Sequence, residues 1–360
     1  ILNSNNKFAA AAAAPIILNI ILILSLLISI FFNFSYVFSL SSAVTFAGVI
    51  QLGFLIFFTK KYYVPSLKLK KRISSKVKFF FKKLLPSIFS SGVIQINILI
   101  GTIIASFESS AVSYLYYADR VYQINLAIAG IAVGTVSLPI LAKALKTKNI
   151  LKVYKIQNKS IELSLLLSIP ASLGLILASQ QIVNVLFGYG TFSEEDISMT
   201  AKALKYFGYG IPAFALIKVL SNFFFARDNT KIPFYISFLV VLLNIAISLN
   251  FFKEVGFVII PIATTISSWV GVLIYFILLK KYKSFNVESY LLKNVLKILI
   301  STFLMSLILV YGLDYFADSL NYGNKIKSIY LLFIVSFVAT IYLISCYLLG
   351  ILKIKNYKTN

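Results

Sequence analysis

Histidine is absent from this sequence, and cysteine, tryptophan and methionine are nearly so, with one, one and two copies in 360 residues. Without histidine the chain lacks the most common metal ligand and the usual proton carrier near neutral pH. Its single cysteine, Cys346, lies in an apolar run, so no disulfide can form within the chain. Acidic residues number 11 against 34 lysines and arginines. No two carboxylates fall within the long apolar runs to share acid–base work. The phosphate-binding loop GxxxxGK(S/T) does not occur, nor do GxSxG, HExxH or CxxC, which argues against ATP hydrolysis and against the hydrolase and zinc chemistries those motifs carry. No enzymatic activity, cofactor or metal site is expected.

Apolar sequence dominates what remains. Hydrophobic residues make up 59% of the chain and charged residues 12%, with a mean hydropathy of +0.91. A soluble domain of this length could not hide so much apolar surface, so the composition is that of an all-α polytopic membrane protein. In a bilayer each spanning segment must satisfy its own backbone hydrogen bonds, and long unbroken apolar runs do so as helices. About ten such runs are expected, near 9–32, 36–58, 84–107, 121–142, 161–179, 203–225, 233–252, 256–279, 294–312 and 327–352. Gln180, Gln181 and the Gly188–Gly190 turn interrupt the pattern between the fifth and sixth.

Charge sorts the loops into two alternating sets. Lys60 to Lys83, Lys143 to Lys159, Lys280 to Lys293 and the tail from Lys353 are basic. Glu108, Glu194-Glu195-Asp196, Lys253-Glu254 and the Asp314/Asp318 loop are acidic or near neutral. The positive-inside rule places the basic set in the cytoplasm. The net charge of +23 therefore reads as loops facing anionic lipid rather than as a nucleic-acid surface. The chain starts at Ile1 with neither methionine nor a signal-peptide pattern, and is expected to be a piece that has lost its beginning.

Asp119-Arg120 stands out as a charged dipeptide against an apolar run, and Arg120 is one of only three arginines. Gly130 and Gly134 follow in GxxxG spacing, with Pro139 beyond, and Gly210 and Pro212 punctuate a later span. Such residues allow close helix packing and kinks, or bends that line a cavity. Lys218 is a cation inside the run 211–226 that either faces a cavity or snorkels to the cytoplasmic surface. Tyr114, Tyr116 and Tyr117 fit an interfacial belt or a sugar platform, Glu162 a charge near a helix start, and Arg227 a cytoplasmic anchor.

Several blocks together resemble one family. Tyr116-Tyr117-Ala118-Asp119-Arg120, Gly130, Gly134-Thr135-Val136 and Leu138-Pro139 are similar to the MurJ (MviN) lipid II flippase family, within the MOP/MATE-like exporter superfamily. Leu2-Asn3, Phe8, Pro15 and Asn19 agree with it, as do Gly190, Phe192, Thr200-Ala201 and Ala203-Leu204. So do Gly210, Pro212-Ala213-Phe214, Lys218-Val219-Leu220, Ala226-Arg227, Thr230 and Pro233, and then Ala263-Thr264, Ser267 and Trp269.

The resemblance implies helices five to fourteen of a fourteen-helix, two-lobe fold. Residues 1–58 would be the last two helices of the first lobe and 59–83 a basic cytoplasmic loop. Residues 84–280 would be the second six-helix lobe, and 281–360 two additional helices with a basic tail. It implies flipping of lipid II, an undecaprenyl-pyrophosphate-linked disaccharide-pentapeptide, across the bacterial inner membrane by alternating access for cell wall synthesis. Membrane lipids and the cell-wall synthesis machinery are the implied partners, with no nucleic acid. Arg120 matches the family's cavity arginine and would hold the pyrophosphate, Lys218 is a second candidate, and Asp119 would orient the arginine or cap the helix. Where some members hold sodium with carboxylates, this chain has Gly101 and Ser248, with Asn244 retained, so no tight sodium site is expected. Tyr189 replaces a frequent arginine. Another exporter of the superfamily, for oligosaccharide-lipids or for drugs and cations, is an alternative reading, and a non-transporting membrane scaffold is a second.

Overall fold

A computed structural model describes residues 2, 8–63, 75, 77–78, 95–147 and 149–352, with the side chains of 8–12 left aside. Most of the basic run 60–83, the first part of the span expected over 84–107 and the tail beyond 352 lie outside these residues. Among the described residues there is no strand, as the apolar runs require. Eight helical stretches among the described residues are long and apolar enough to cross a membrane, and Gln95–Ala105 is a shorter apolar helix. One of the eight, Lys231–Lys281, contains two of the expected spans. The chain divides into two compact units, Ile1–Phe80 and Phe81–Asn360.

The first unit is a hairpin of α1 (Phe8–Phe32) and α2 (Tyr36–Thr59). Twenty-five helical residues reach ~37 Å, enough for a hydrocarbon core of ~30 Å. Asn33 turns the chain with φ 53°, a left-handed conformation that asparagine tolerates. Small residues are buried here (Ala14, Ser29, Ala43 and Ala47), while leucine, isoleucine and phenylalanine face outward. Lipid removes the usual hydrophobic drive between helices, so close approach and polar ties hold the pair together. Gln51 Nε2 donates to the Ala14 carbonyl at 3.0 Å, and Ser25 Oγ donates to the Ser39 carbonyl at 3.0 Å.

The second unit contains α3 (Gln95–Ala105), α4 (Ala111–Leu126), a π-helical segment (Ala127–Ala132) and α5 (Val133–Lys146). It continues with α6 (Ile150–Leu177), α7 (Ser179–Phe187), α8 (Glu194–Phe225), α9 (Lys231–Val255) and α10 (Ile259–Lys281). The last helices are α11 (Ser289–Tyr315) and α12 (Lys327–Leu348). Helix α8 is the axis, packed against α4, α6 and α10. Its first half joins a cluster with α4 and Phe257, and its second half a cluster with α5, α6 and α10. A third cluster ties α11 and α12 to α6.

Capping fixes the ends of α8. Ser193 and Asp196 form a capping box, and Glu194, Glu195 and Asp196 face the positive end of the helix dipole. Tyr114 donates to Asp196 Oδ1 at 3.0 Å, pinning α4 there. At the other end Arg227 donates to the carbonyls of Phe223 and Ser284, at 2.6 and 2.8 Å. Burial lowers the pKa of its guanidinium from the ordinary arginine value.

Pro212 interrupts α8 midway, and three side chains on neighbouring helices donate to the carbonyls around it. Ser172 Oγ bonds to Gly208 O at 2.7 Å, Thr265 Oγ1 to Tyr206 O at 2.8 Å, and Trp269 Nε1 to Tyr209 O at 3.1 Å. Gly210 has no Cβ because one would lie 2.7 Å from Thr265 Oγ1 and still closer to the Phe214 ring. Of these carbonyls Gly208 O is the one that Pro212 deprives of its helical donor, and in lipid such a substitute donor is what makes an internal proline tolerable.

Three expected spans start too late. Those expected from 121, 161 and 203 begin at Ala111, Ile150 and Glu194, the second capped by the Asn149 side chain on Lys152 N. Apolar sequence marks where a helix meets lipid, whereas backbone hydrogen bonding continues into the polar interface. Consequently Glu162 is not a charge at a helix start. It lies about three turns inside α6, is 1% exposed, and bonds to Lys159 Nζ at 2.7 Å. The break at Gln180 and Gln181 is the short helix α7, followed by a turn at Gly190 with φ 64°.

Candidate functional site

Helices α3, α4, α8, α9 and α10 enclose a cavity of about 570 Å³ within the second unit. Its walls are largely apolar, from Ile98, Leu115, Ile245 and Ile260 among others. The polar groups on it are few: Asn97, Thr102, Tyr116, Asp119, Tyr122, Gln123, Lys218, Asn244, Ser248 and Thr264. Apolar walls with a small set of convergent polar side chains describe a binding site rather than a packing fault.

Lys218 brings the positive charge. Its side chain is exposed although the helix around it is buried, and among the described residues it makes no hydrogen bond or ion pair. Its position follows from the glycines of the π-helical segment and α5. A Cβ on Gly130 would come within 3.0 Å of Ala215 Cα, and one on Gly134 within 2.9 Å of Asn222 Nδ2 and 3.6 Å of the Lys218 carbonyl. Asn222 Nδ2 donates to Gly134 O at 2.8 Å, locking the two helices at this approach. The wider π turn lies between Asp119 and Pro139, with Ala127 and Ile131 on the cavity wall. Pro139 itself is exposed on α5.

Asp119 also lines the cavity, in the third turn of α4 and thus not at its cap. Its carboxylate accepts from Gln123 Nε2, one turn on, and makes no ion pair with Arg120. Arg120 is exposed and is not part of this cavity's lining. Its guanidinium lies over the Tyr116 ring, 4.7 Å from the centroid. Tyr117 packs against Phe187 and Phe192 instead. The cavity thus gathers Asp119, Lys218 and Asn244. Arg120, Gly130, Gly134, Pro139, Gly210 and Pro212 lie outside its lining.

Asn244, Ser248 and Thr264 form a closed neutral chain. Ser248 Oγ donates to Asn244 Oδ1 at 3.2 Å, Asn244 Nδ2 to Thr264 Oγ1 at 3.1 Å, and Thr264 Oγ1 to Ile260 O at 2.8 Å. Gly101 of α3 lines the same cavity, and a Cβ there would make ordinary contact with Ile260 Cγ2 at 3.7 Å. Among the described residues no group of three or more His, Cys, Asp or Glu could hold a metal ion. Sequence reasoning passed over Gln123 and Asn97. The i, i+4 spacing of Gln123 from Asp119 was the available signal, whereas an asparagine within an apolar run carries none.

The family described as lipid II flippase MurJ matches residues 1–352. A probable lipid II flippase MurJ of Rhizobium tropici is 34% identical over 355 residues, covering 97% of this chain and 66% of the relative. One of Rickettsia prowazekii is 34% identical over 321 residues, covering 89% of this chain and 63% of its own length. The chain therefore spans just under two thirds of these curated relatives. Among solved structures, a lipid II flippase MurJ in an inward closed conformation aligns with 96% of this chain and 68% of its own, at TM-score 0.77 and 27% identity. With its family match over nearly the whole length and its fold in agreement, the chain belongs to the lipid II flippase MurJ family.

Proposed function

We propose that this chain contributes helices five to fourteen of a lipid II flippase in the bacterial cytoplasmic membrane, moving the peptidoglycan precursor outward by alternating access. On this reading 1–58 closes the first lobe, 84–280 is the second lobe, and α11–α12 are the additional pair. The two lobes rock about a central cavity while the polyprenyl tail stays in lipid. The protein breaks no covalent bond. Lipid II is its cargo, bilayer lipids its surroundings, and the cell-wall synthesis machinery its downstream partner.

The observation that carries the proposal is an unpaired ammonium, Lys218, facing a cavity from a membrane-spanning helix in a chain of this family. An uncompensated cation in low dielectric is costly unless an anion visits it, and a pyrophosphate is such an anion. Arg120, stacked on Tyr116 and without a carboxylate partner, supplies a second donor with the planar fork that phosphate oxygens favour. The test is rescue of a lipid II flippase-depleted strain by full-length protein carrying Arg120→Ala, Lys218→Ala or both. Loss of growth with Arg120→Ala, and slowed export with Lys218→Ala that Lys218→Arg relieves, is the expected result. Normal export by the double variant overturns the headgroup role.

A further inference from the structure

Internal prolines in α6 and α8 each remove the amide that would bond to the carbonyl four residues earlier. For Pro212 that carbonyl belongs to Gly208, and Ser172 Oγ of α6 donates to it at 2.7 Å. For Pro170 it belongs to Leu166, and here the donor is the Tyr342 hydroxyl of α12, also at 2.7 Å. Leu166 and Tyr342 are each 6% exposed, so water is not at hand to take over either role. Among the described residues this is the one hydrogen bond from α12 to α6, because α12 otherwise rests on α11 and α7.

We propose that Tyr342 is a positioning residue that holds α6 in one bend at Pro170, so that the placement of α12 sets the shape of α6 and, through it, of α8. A carbonyl buried in a membrane protein must keep a donor, and a proline leaves it dependent on whatever side chain is nearby. A phenolic hydroxyl at the end of a long side chain provides that donor only while α12 stays in place. The two bonds lie on different faces of α6. Leu166, Ile169 and Leu173 face the α11–α12 cluster, while Ser172 reaches α8. A change of bend at Pro170 is thus carried to Gly208 and Pro212, and α8 presents Lys218 to the cavity less than two turns beyond Pro212. This coupling governs how the helices move and is the same whatever the cavity carries.

Amide hydrogen exchange of the full-length protein in nanodiscs tests it, comparing wild type with Tyr342→Phe, Pro170→Ala and the double variant. Phenylalanine keeps the ring and removes only the donor, so the fold is retained. Exchange across 163–177 should quicken about tenfold in Tyr342→Phe, the factor one hydrogen bond of ordinary net worth supplies. The same change should spread, at smaller amplitude, to 205–215. Alanine at 170 returns an amide to Leu166, so Tyr342→Phe should then have no effect. Unchanged exchange in Tyr342→Phe, or an equal effect with and without Pro170, overturns the positioning role. A change confined to α6 overturns its transmission to α8.

Discussion

The Lys327 ammonium donates to the Gly188 carbonyl at 2.8 Å, joining the start of α12 to the end of α7. The same nitrogen donates to Asn184 Oδ1 at 2.8 Å and Tyr322 O at 3.0 Å. It lies 4.3 Å from the Tyr189 ring centroid and 5.1 Å from that of Tyr322. The residue is 0% exposed and has no carboxylate partner, so three neutral oxygens and two π faces take the place of water. Tyr189, which stands where relatives were expected to carry arginine, here forms one wall of this cage.

Lys327→Met should therefore destabilise the protein markedly while keeping the shape of the side chain's stem. Each acceptor left unpaired in a buried setting costs roughly 1–3 kcal/mol. Thermal unfolding in detergent should fall by several degrees, and hydrogen exchange should rise across 320–335 without comparable change in α9. A melting point equal to that of wild type would show that the cage contributes nothing to docking α12.

The loop between α9 and α10 depends on a distant acid. Glu108 Oε2 accepts from Phe257 N at 2.7 Å, beside Gly256 at φ 74°. Glu108→Ala should destabilise by about 1–3 kcal/mol, and Glu108→Gln by less, because its amide oxygen still accepts. Chemical denaturation of both variants checks the order, and equal losses would assign the effect to charge alone.

Glycine packing offers a matched pair. Gly130→Ala sets a methyl 3.0 Å from the Ala215 backbone, which cannot move aside, whereas Gly174→Ala meets nothing within 4 Å. The first should destabilise by about 1–3 kcal/mol through overpacking. The second should be neutral or stabilising by up to ~1 kcal/mol through helix propensity. Melting temperatures moving in the same direction would contradict the close approach of the π-helical segment to α8.

Long apolar runs made the spans legible, because the bilayer allows little besides helices of that length. Their ends were less legible, since Tyr114 to Arg120 and Lys152 to Lys159 remain helical after the apolar signal stops. Lys218 was legible as a cation within an apolar run. The role of Lys327 was not: a lysine at the edge of such a run reads as a snorkelling side chain, and its partners Asn184 and Gly188 are 143 and 139 residues away in the chain. Tyr342 is likewise 176 residues from Leu166, and a proline reveals only which carbonyl it deprives.

The neutral chain at Asn244 predicts how this protein treats sodium. Ser248 and Asn244 bond to each other, and Gly101 lines the same cavity, so the group offers oxygens but no negative charge. Neutral oxygens alone hold a sodium ion more weakly than a set that includes carboxylates, so replacing sodium with a large organic cation should leave transport and thermal stability unchanged. Ser248→Asp combined with Gly101→Asp would add two carboxylates to the cavity wall that Asn244 lines, and Gly101 has ordinary van der Waals room for a side chain. That double variant should gain a sodium-dependent rise in melting temperature that potassium does not reproduce. Strict sodium dependence of the unmodified protein would refute this expectation, because a site built from these neutral oxygens would then hold the ion tightly without a carboxylate.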